Sequence, residues 1–103
     1  MEGMTMATKA DNLFTILSDT QDNNELPDFV GSFIMHCEKY GTAPVKVQKK
    51  GKLGTWATMR YNGAEVQFSA AGDTIDIDMT ENYSYKLITA TPGAVITMDR
   101  APG

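Results

Sequence analysis

The chain contains 103 residues with a formal net charge of −4, an apolar content of 42%, one cysteine and one tryptophan. This length suits one domain, and the composition is that of an ordinary globular protein. A single cysteine excludes an internal disulfide and any metal or iron–sulfur site built from several cysteines, and we expect no cofactor. The lone cysteine also favours a reducing compartment, and the lack of a long apolar run predicts a cytoplasmic protein that does not contact a membrane.

The first seven residues precede any periodic pattern, and we expect residues 1–7 to form a flexible leader to a single domain over 8–103. Apolar residues then recur with the i, i+3, i+4, i+7 spacing of an amphipathic helix, which predicts a first helix over about 8–18. A second apolar set with this period lies between Pro27 and Gly41. It predicts a second helix over about 26–40.

After Pro44 the apolar period changes to two, and turn residues recur at short intervals, which predicts strands over about 44–100. Asn62-Gly63 favours a type I′ turn, because both central residues of that turn need a positive φ. The turn predicts a hairpin in which Arg60 lies opposite Glu65.

Extending this hairpin with alternating faces predicts the register of the preceding strand. Pairing Val45 with Met59 and Val47 with Ala57 collects small apolar residues on one face. The other face then carries Lys46, Gln48, Trp56, Thr58 and Arg60. A slip of one residue would reverse the faces, and only burial decides between the two registers.

Two further strand elements follow in the sequence. A second hairpin is expected around Thr80 to Asn82, with Ile77 opposite Tyr85, and the segment after Thr91-Pro92-Gly93 predicts a last strand. The sequence therefore predicts an α+β fold, with two N-terminal helices packed on a four- to six-stranded antiparallel meander. The stretch from Gly54 to Phe68 is similar to the middle strands of SH3-like barrels. In an alternative form of the predicted fold, the sheet therefore closes into a small barrel of that kind.

Positive charge is concentrated in one part of the sequence. Residues 1–38 carry a net charge of −6 and residues 65–103 a net charge of −4, whereas residues 39–64 carry +6 and no acid. Aromatic and arginine side chains together are common anchors of interfaces. The candidate partner-binding residues are Lys46, Lys49, Lys50, Lys52, Trp56 and Arg60.

Two structural explanations stay open for this basic stretch. Lysines also suit a strand end, where they keep a sheet edge soluble, and they can pair with acidic neighbours. A lone tryptophan in a small domain is often a core residue. The sequence alone leaves open whether Trp56 is exposed or buried.

The sequence lacks the common catalytic motifs. His36 and Glu38 have the spacing of zinc deaminases, but the downstream cysteine pair of those enzymes is missing. We interpret Cys37 as a packing residue, and GKLGT lacks the pattern of a phosphate-binding loop. We therefore expect a protein that is not an enzyme and has no metal site.

We expect instead a small acidic module that binds another protein, as an accessory, regulatory or inhibitor protein of the kind found in phages and mobile elements. The alternative is a nucleic-acid-binding domain that uses the basic hairpin over 46–60. The negative net charge opposes this alternative, because its long-range field repels phosphates. The sequence leaves open whether the protein forms a homo-oligomer. It also leaves open whether the acidic regions are themselves a binding face that mimics the charge of a nucleic acid.

The acidic run from Asp73 to Asn82 lacks the spacing of a calcium loop, since Asp78 stands where the loop requires glycine. We expect calcium, magnesium or manganese at millimolar concentration to leave the Tm unchanged in a thermal-shift measurement, because a ligand stabilises a fold only above its Kd. A rise in Tm that disappears in Asp76→Asn would contradict this expectation.

Overall fold

A computed structural model describes residues 13–101 and shows that this part of the chain is all-β, with no helix. None of these residues forms a helix long and apolar enough to cross a bilayer. The strands, in chain order, are β1 (Leu13–Leu17), β2 (Asn23–Glu25), β3 (Gly31–Lys39), β4 (Val45–Gly51), β5 (Ala57–Thr58), β6 (Arg60–Tyr61), β7 (Ala64–Glu65), β8 (Gln67–Phe68), β9 (Thr74–Met79), β10 (Tyr83–Thr89) and β11 (Val95–Arg100).

Two antiparallel sheets pack against each other. The first sheet has the order β1-β11-β3-β9, and the second has the order β2-β10-β4-β5, with β8 also paired to β4. Side chains from both sheets form one core between them. Its fully buried members include Leu17, Phe33, Met35, Cys37, Val45, Val47, Phe68, Leu87, Ile96 and Met98. The architecture is therefore a β-sandwich, in which each sheet keeps its second face toward solvent.

The prediction of two N-terminal helices, and with it the α+β fold, is wrong. The segment expected to form the second helix contains β3, in which Phe33, Met35 and Cys37 are buried at every second position. The same apolar residues fit a period of two as well as a period of 3.6, and pairing with β9 and β11 selects the strand. Residues 13–17 of the first predicted helix form β1 and Ser18 follows the strand, whereas residues 8–12, like the leader over 1–7, lie outside the described residues.

The turn prediction at Asn62-Gly63 is confirmed. Both residues have positive φ, 52° and 82°, and Arg60 pairs with Glu65 as expected. The arms stay hydrogen-bonded for one more pair, since the Val66 N–H donates to the Met59 carbonyl at 2.8 Å, but beyond that pair they separate. One arm continues as β5 and the other as β8, and both of these strands pair with β4: Thr58 of β5 lies opposite Gln48, and Phe68 of β8 lies opposite Val45. The hairpin of β6 and β7 therefore protrudes from an interrupted edge strand.

The register between β4 and β5 differs from the predicted one by two residues. Val47, rather than Val45, lies opposite Met59, whose N–H donates to the Val47 carbonyl at 2.8 Å. An even shift keeps every side chain on its predicted face. Val45 and Val47 accordingly point into the core, and both are completely buried.

The predicted second hairpin, and with it the single meander and the SH3-like barrel, is also wrong. β9 pairs with β3 in the first sheet, whereas β10 pairs with β4 in the second, so the turn at Thr80 to Asn82 connects the two sheets. Ile77 and Tyr85 both point into the core, but from opposite sheets. Two strands with apolar faces can line the same core as neighbours in one sheet or as members of two facing sheets. The alternation of apolar and polar residues is the same in both cases. The last predicted strand is confirmed as β11.

The core predicts a large stability cost for Phe33→Ala. The Phe33 side chain is 1% exposed, and deletion of a buried aromatic ring costs about 3–5 kcal/mol of unfolding free energy. Leu53→Ala is the control, because Leu53 is fully exposed and its loss should change stability by less than about 0.5 kcal/mol. Urea unfolding measures both values, and equal losses would contradict this core.

Candidate functional site

The outer face of the second sheet carries most of the predicted binding residues. Along β4, Val45 and Val47 point inward, so Lys46, Gln48 and Lys50 point outward. Their outward neighbours on the paired strands are Thr58 on β5 and Ser84, Lys86 and Ile88 on β10. Continuation of the β4–β5 register places Trp56 beside Lys50. We call the surface formed by Trp56 and these outward residues of β4, β5 and β10 the Trp56 face.

Trp56 is a surface residue in this fold. It is partly exposed and does not belong to the core between the sheets. The ammonium nitrogen of Lys86 lies 4.6 Å from the centre of its ring, and that of Lys50 lies 5.1 Å away. Each such cation–π contact at an exposed site contributes about 0.5–1 kcal/mol. The two lysines therefore hold the ring in place and surround it with positive charge.

Lys46 and Arg60 are both engaged by the same carboxylate. Lys46 Nζ lies 3.0 Å from Glu65 Oε1, and Arg60 Nη2 lies 3.6 Å from Glu65 Oε2. The hydrogen bond and charge of the Lys46 ammonium, followed by the charge of Arg60, lower the pKa of Glu65. The positive charge of these two predicted site residues is thus partly neutralised within the molecule.

Lys49 and Lys52 lie away from the Trp56 face. Lys49 is on the inward side of β4, near its end, where its ammonium lies 4.6 Å from the centre of the Tyr83 ring. Lys52 lies in the turn after β4, next to the exposed Leu53. The structure therefore places Lys46, Lys50 and Trp56 on one sheet face and Arg60 at its margin, whereas Lys49 and Lys52 lie outside that face.

Lys86 is the site residue that the sequence analysis missed. It lies in an acidic part of the sequence, and it reaches Trp56 only because β10 pairs with β4, with Lys86 opposite Gln48. In the predicted hairpin around Thr80 to Asn82, the pairing of Ile77 with Tyr85 would put Lys86 opposite Asp76 instead. Knowledge of the correct sheet partner is the only signal that would have identified it.

A cleft of about 580 Å³ adjoins this face at one end of the sandwich. Its wall includes Phe29, Tyr83, Lys50 and Lys52. The Thr80 N–H donates to the Tyr85 hydroxyl at 3.2 Å and fixes the sheet-crossing turn there. Lys50 belongs both to this end cleft and to the Trp56 face.

The outer face of the first sheet has the opposite character. Ile34 on β3 lies between Asp99 on β11 and Asp76 on β9, and we call the surface around these residues the acidic face. Glu38 belongs to it, and it accepts hydrogen bonds from Thr97 Oγ1 at 2.8 Å and from His36 Nδ1 at 3.2 Å. These hydrogen bonds lower the pKa of Glu38. A shallow hollow of about 360 Å³ lies over this surface.

The potentially reactive side chains His36 and Cys37 lie on opposite sides of β3. His36 points outward from β3, whereas Cys37 is buried in the core, where burial raises the pKa of its thiol. No group of three or more histidine, cysteine or acidic side chains is placed to hold a metal ion within residues 13–101. Comparison with protein-family models, with curated proteins and with solved structures finds no match for this chain.

The Lys46–Glu65 ion pair predicts a pH-dependent contribution to stability. The folded-state pKa of Glu65 lies below the ordinary 4.5, so the contribution is present above that value and is lost as the pH falls through the folded pKa. In Lys46→Met, NMR titration of the Glu65 carboxyl should show a pKa closer to 4.5. Lys39→Met is the control, because Lys39 pairs with Asp19. A Glu65 pKa that is equal in both variants would contradict the pairing.

Proposed function

We propose that this protein is a non-enzymatic module that binds another protein through the Trp56 face and acts as an accessory or regulatory protein. The observation that carries the proposal is a partly exposed tryptophan in contact with two lysines on an open sheet face. Tryptophan is strongly enriched among interface hot spots, where a few large anchors supply most of the binding energy. The surrounding Gln48, Thr58 and Ser84 supply the polar groups typical of an interface rim.

Charge distribution favours a protein over a nucleic acid as the partner. Of the described basic residues in the basic stretch and on the Trp56 face, four form no salt bridge: Lys49, Lys50, Lys52 and Lys86. Lys49 lies on the inward side of β4. Glu65 and Glu25 border the same face, Glu25 opposite Lys86. This basic patch is small compared with the continuous basic stripe that is expected of a nucleic-acid binder.

A cytoplasmic location is part of the proposal. Cys37 is a free thiol in the core, and a reducing compartment preserves such a thiol. The separation of His36 from Cys37 on the two sides of β3 supports a protein that is not an enzyme, because a nucleophile needs its base within hydrogen-bond reach.

The proposal predicts that Trp56→Ala weakens partner binding by roughly 2 kcal/mol or more, the scale of an interface hot spot. Its cost to folding should be about 1–2 kcal/mol, since the ring is outside the core and loses mainly its two lysine contacts. A pull-down from native lysate, followed by titration of the captured protein, measures the binding.

Tyr61→Ala is the matched control. Tyr61 is an aromatic residue that is 75% exposed on the protruding hairpin, away from the Trp56 face. Binding should survive its removal. A partner that binds Trp56→Ala as tightly as the unaltered protein would refute the proposed face, and so would a folding cost of about 3–5 kcal/mol, the scale of a core aromatic.

A mobility-shift titration tests the alternative function. With Lys50, Lys52 and Lys86 as phosphate contacts, binding to duplex DNA would fall with salt at a log–log slope of about −2.7, at about −0.9 per contact. We expect no binding even at low salt, because the net charge of −4 repels the duplex. Micromolar affinity with that slope, abolished by Lys50→Glu plus Lys86→Glu, would make nucleic acid the ligand.

A further inference from the structure

The two outer faces of the sandwich are complementary in charge and in pattern. On one side, a tryptophan ring is in contact with the ammonium groups of Lys50 and Lys86. On the other side, Ile34 on β3 is the direct cross-strand neighbour of Asp76 on β9 and of Asp99 on β11. Each face thus has an apolar centre flanked by two charges of one sign, and the sign is opposite on the two faces.

The spacing of the charges is also compatible. Asp76 and Asp99 lie on the strands that flank β3, so their Cα atoms are about 10 Å apart, twice the separation of neighbouring strands. Lys50 and Lys86 are diagonal neighbours on β4 and β10, about 7–8 Å apart. The flexible lysine side chains can bridge the difference.

The acidic face also offers a place for an aromatic ring. The hollow over it, about 360 Å³ in volume, is lined by Leu13, Ile34, Thr74 and Thr97, with Glu38 and Asp99 as its acidic and His36 and Arg100 as its basic members. The Arg100 guanidinium lies over the Phe33 ring and donates to the Val30 carbonyl, so it is engaged within the chain. Leu13 is 50% exposed there. An exposed leucine beside a polar rim is the kind of surface on which a large aromatic anchor gains most from burial.

We infer that the partner of the Trp56 face is a second copy of this chain, which presents its acidic face. This inference rests on the proposed function, since it names the protein that the Trp56 face binds. Trp56 of one copy packs over Ile34 and Leu13 of the next, and Lys50 and Lys86 pair with Asp76 and Asp99. Within residues 13–101, none of these four charged residues takes part in a salt bridge of its own chain.

Each broad face of the sandwich has room for a specific interface. The molecule measures 47 × 32 × 25 Å, and the broad faces of a two-sheet sandwich lie perpendicular to its short axis. Such a face exceeds the roughly 800 Å² per partner of a standard interface. Because the two contacting surfaces differ and lie on opposite sides of the sandwich, the contact is heterologous, and copies associate head to tail into a ring or an open stack.

Sedimentation equilibrium of the full chain over a concentration series tests this inference. At low salt the weight-average mass should rise above that of one chain with increasing concentration, and added salt should reduce it, because ions screen the charged pairs. Lys50→Glu plus Lys86→Glu should remain monomeric, and so should Asp76→Lys plus Asp99→Lys. An equimolar mixture of the two variants should associate again, because each supplies the charged face that the other has lost.

The control variant Asp28→Lys plus Glu81→Lys makes the same charge change at exposed positions outside the acidic face, and it should associate like the unaltered chain. The inference is overturned if the unaltered chain stays monomeric at low salt, or if the mixture of swapped variants does. A monomeric chain that still captures a different protein in a Trp56-dependent manner would leave the proposed function standing and refute only the second copy. A chain that stays monomeric and captures no other protein in a Trp56-dependent manner would refute both the second copy and the proposed function.

Discussion

Strand β4 is the element on which the rest of the second sheet depends. It pairs with β10 on one side and with β5 and β8 on the other, so its alternation sets the facing of all of them. Val45 and Val47 are completely buried, and their burial fixes Lys46 and Lys50 outward, because a shift of one residue would exchange the two faces. The location of every residue on the Trp56 face follows from the burial of these two valines.

Pairing with β4 also explains the margin of the Trp56 face, where the Asn62-Gly63 hairpin and the Glu65 carboxylate lie. The arms of the Asn62-Gly63 hairpin separate, and both pair with β4, which leaves β6 and β7 projecting from the sheet edge. Glu65 on this projection reaches both Lys46 and Arg60. Of the four lysines of the basic stretch and the Trp56 face that form no salt bridge among the described residues, Lys50 and Lys86 lie at Trp56, whereas Lys49 and Lys52 lie away from it.

Local chemistry in the sequence predicts local structure well in this chain. The Asn62-Gly63 turn, the outward facing of Lys46 and Gln48 and the last strand all follow from turn residues or from period two. The errors concern partners that are distant in sequence. The segment around Phe33 satisfies a helical and an extended pattern equally, and only its pairing with β9 and β11 makes it a strand.

The candidate site divides in the same way. Trp56 and Lys50 are near in sequence, and the basic stretch alone identifies them. Lys86 is thirty positions from Trp56, and no local pattern connects the two; the topology of β10 does so. The acidic face likewise forms from Asp76 and Asp99 only when β9 and β11 flank β3.

The central claim is that Trp56 lies outside the core, within a positive local field. Trp56 is the only tryptophan, so intrinsic fluorescence reports this position alone. We expect iodide to quench the emission of the native protein more strongly than caesium does, because Lys50 and Lys86 attract the anion, and we expect Lys50→Glu plus Lys86→Glu to reverse the order. Native emission that neither ion quenches would show a buried ring and contradict the account.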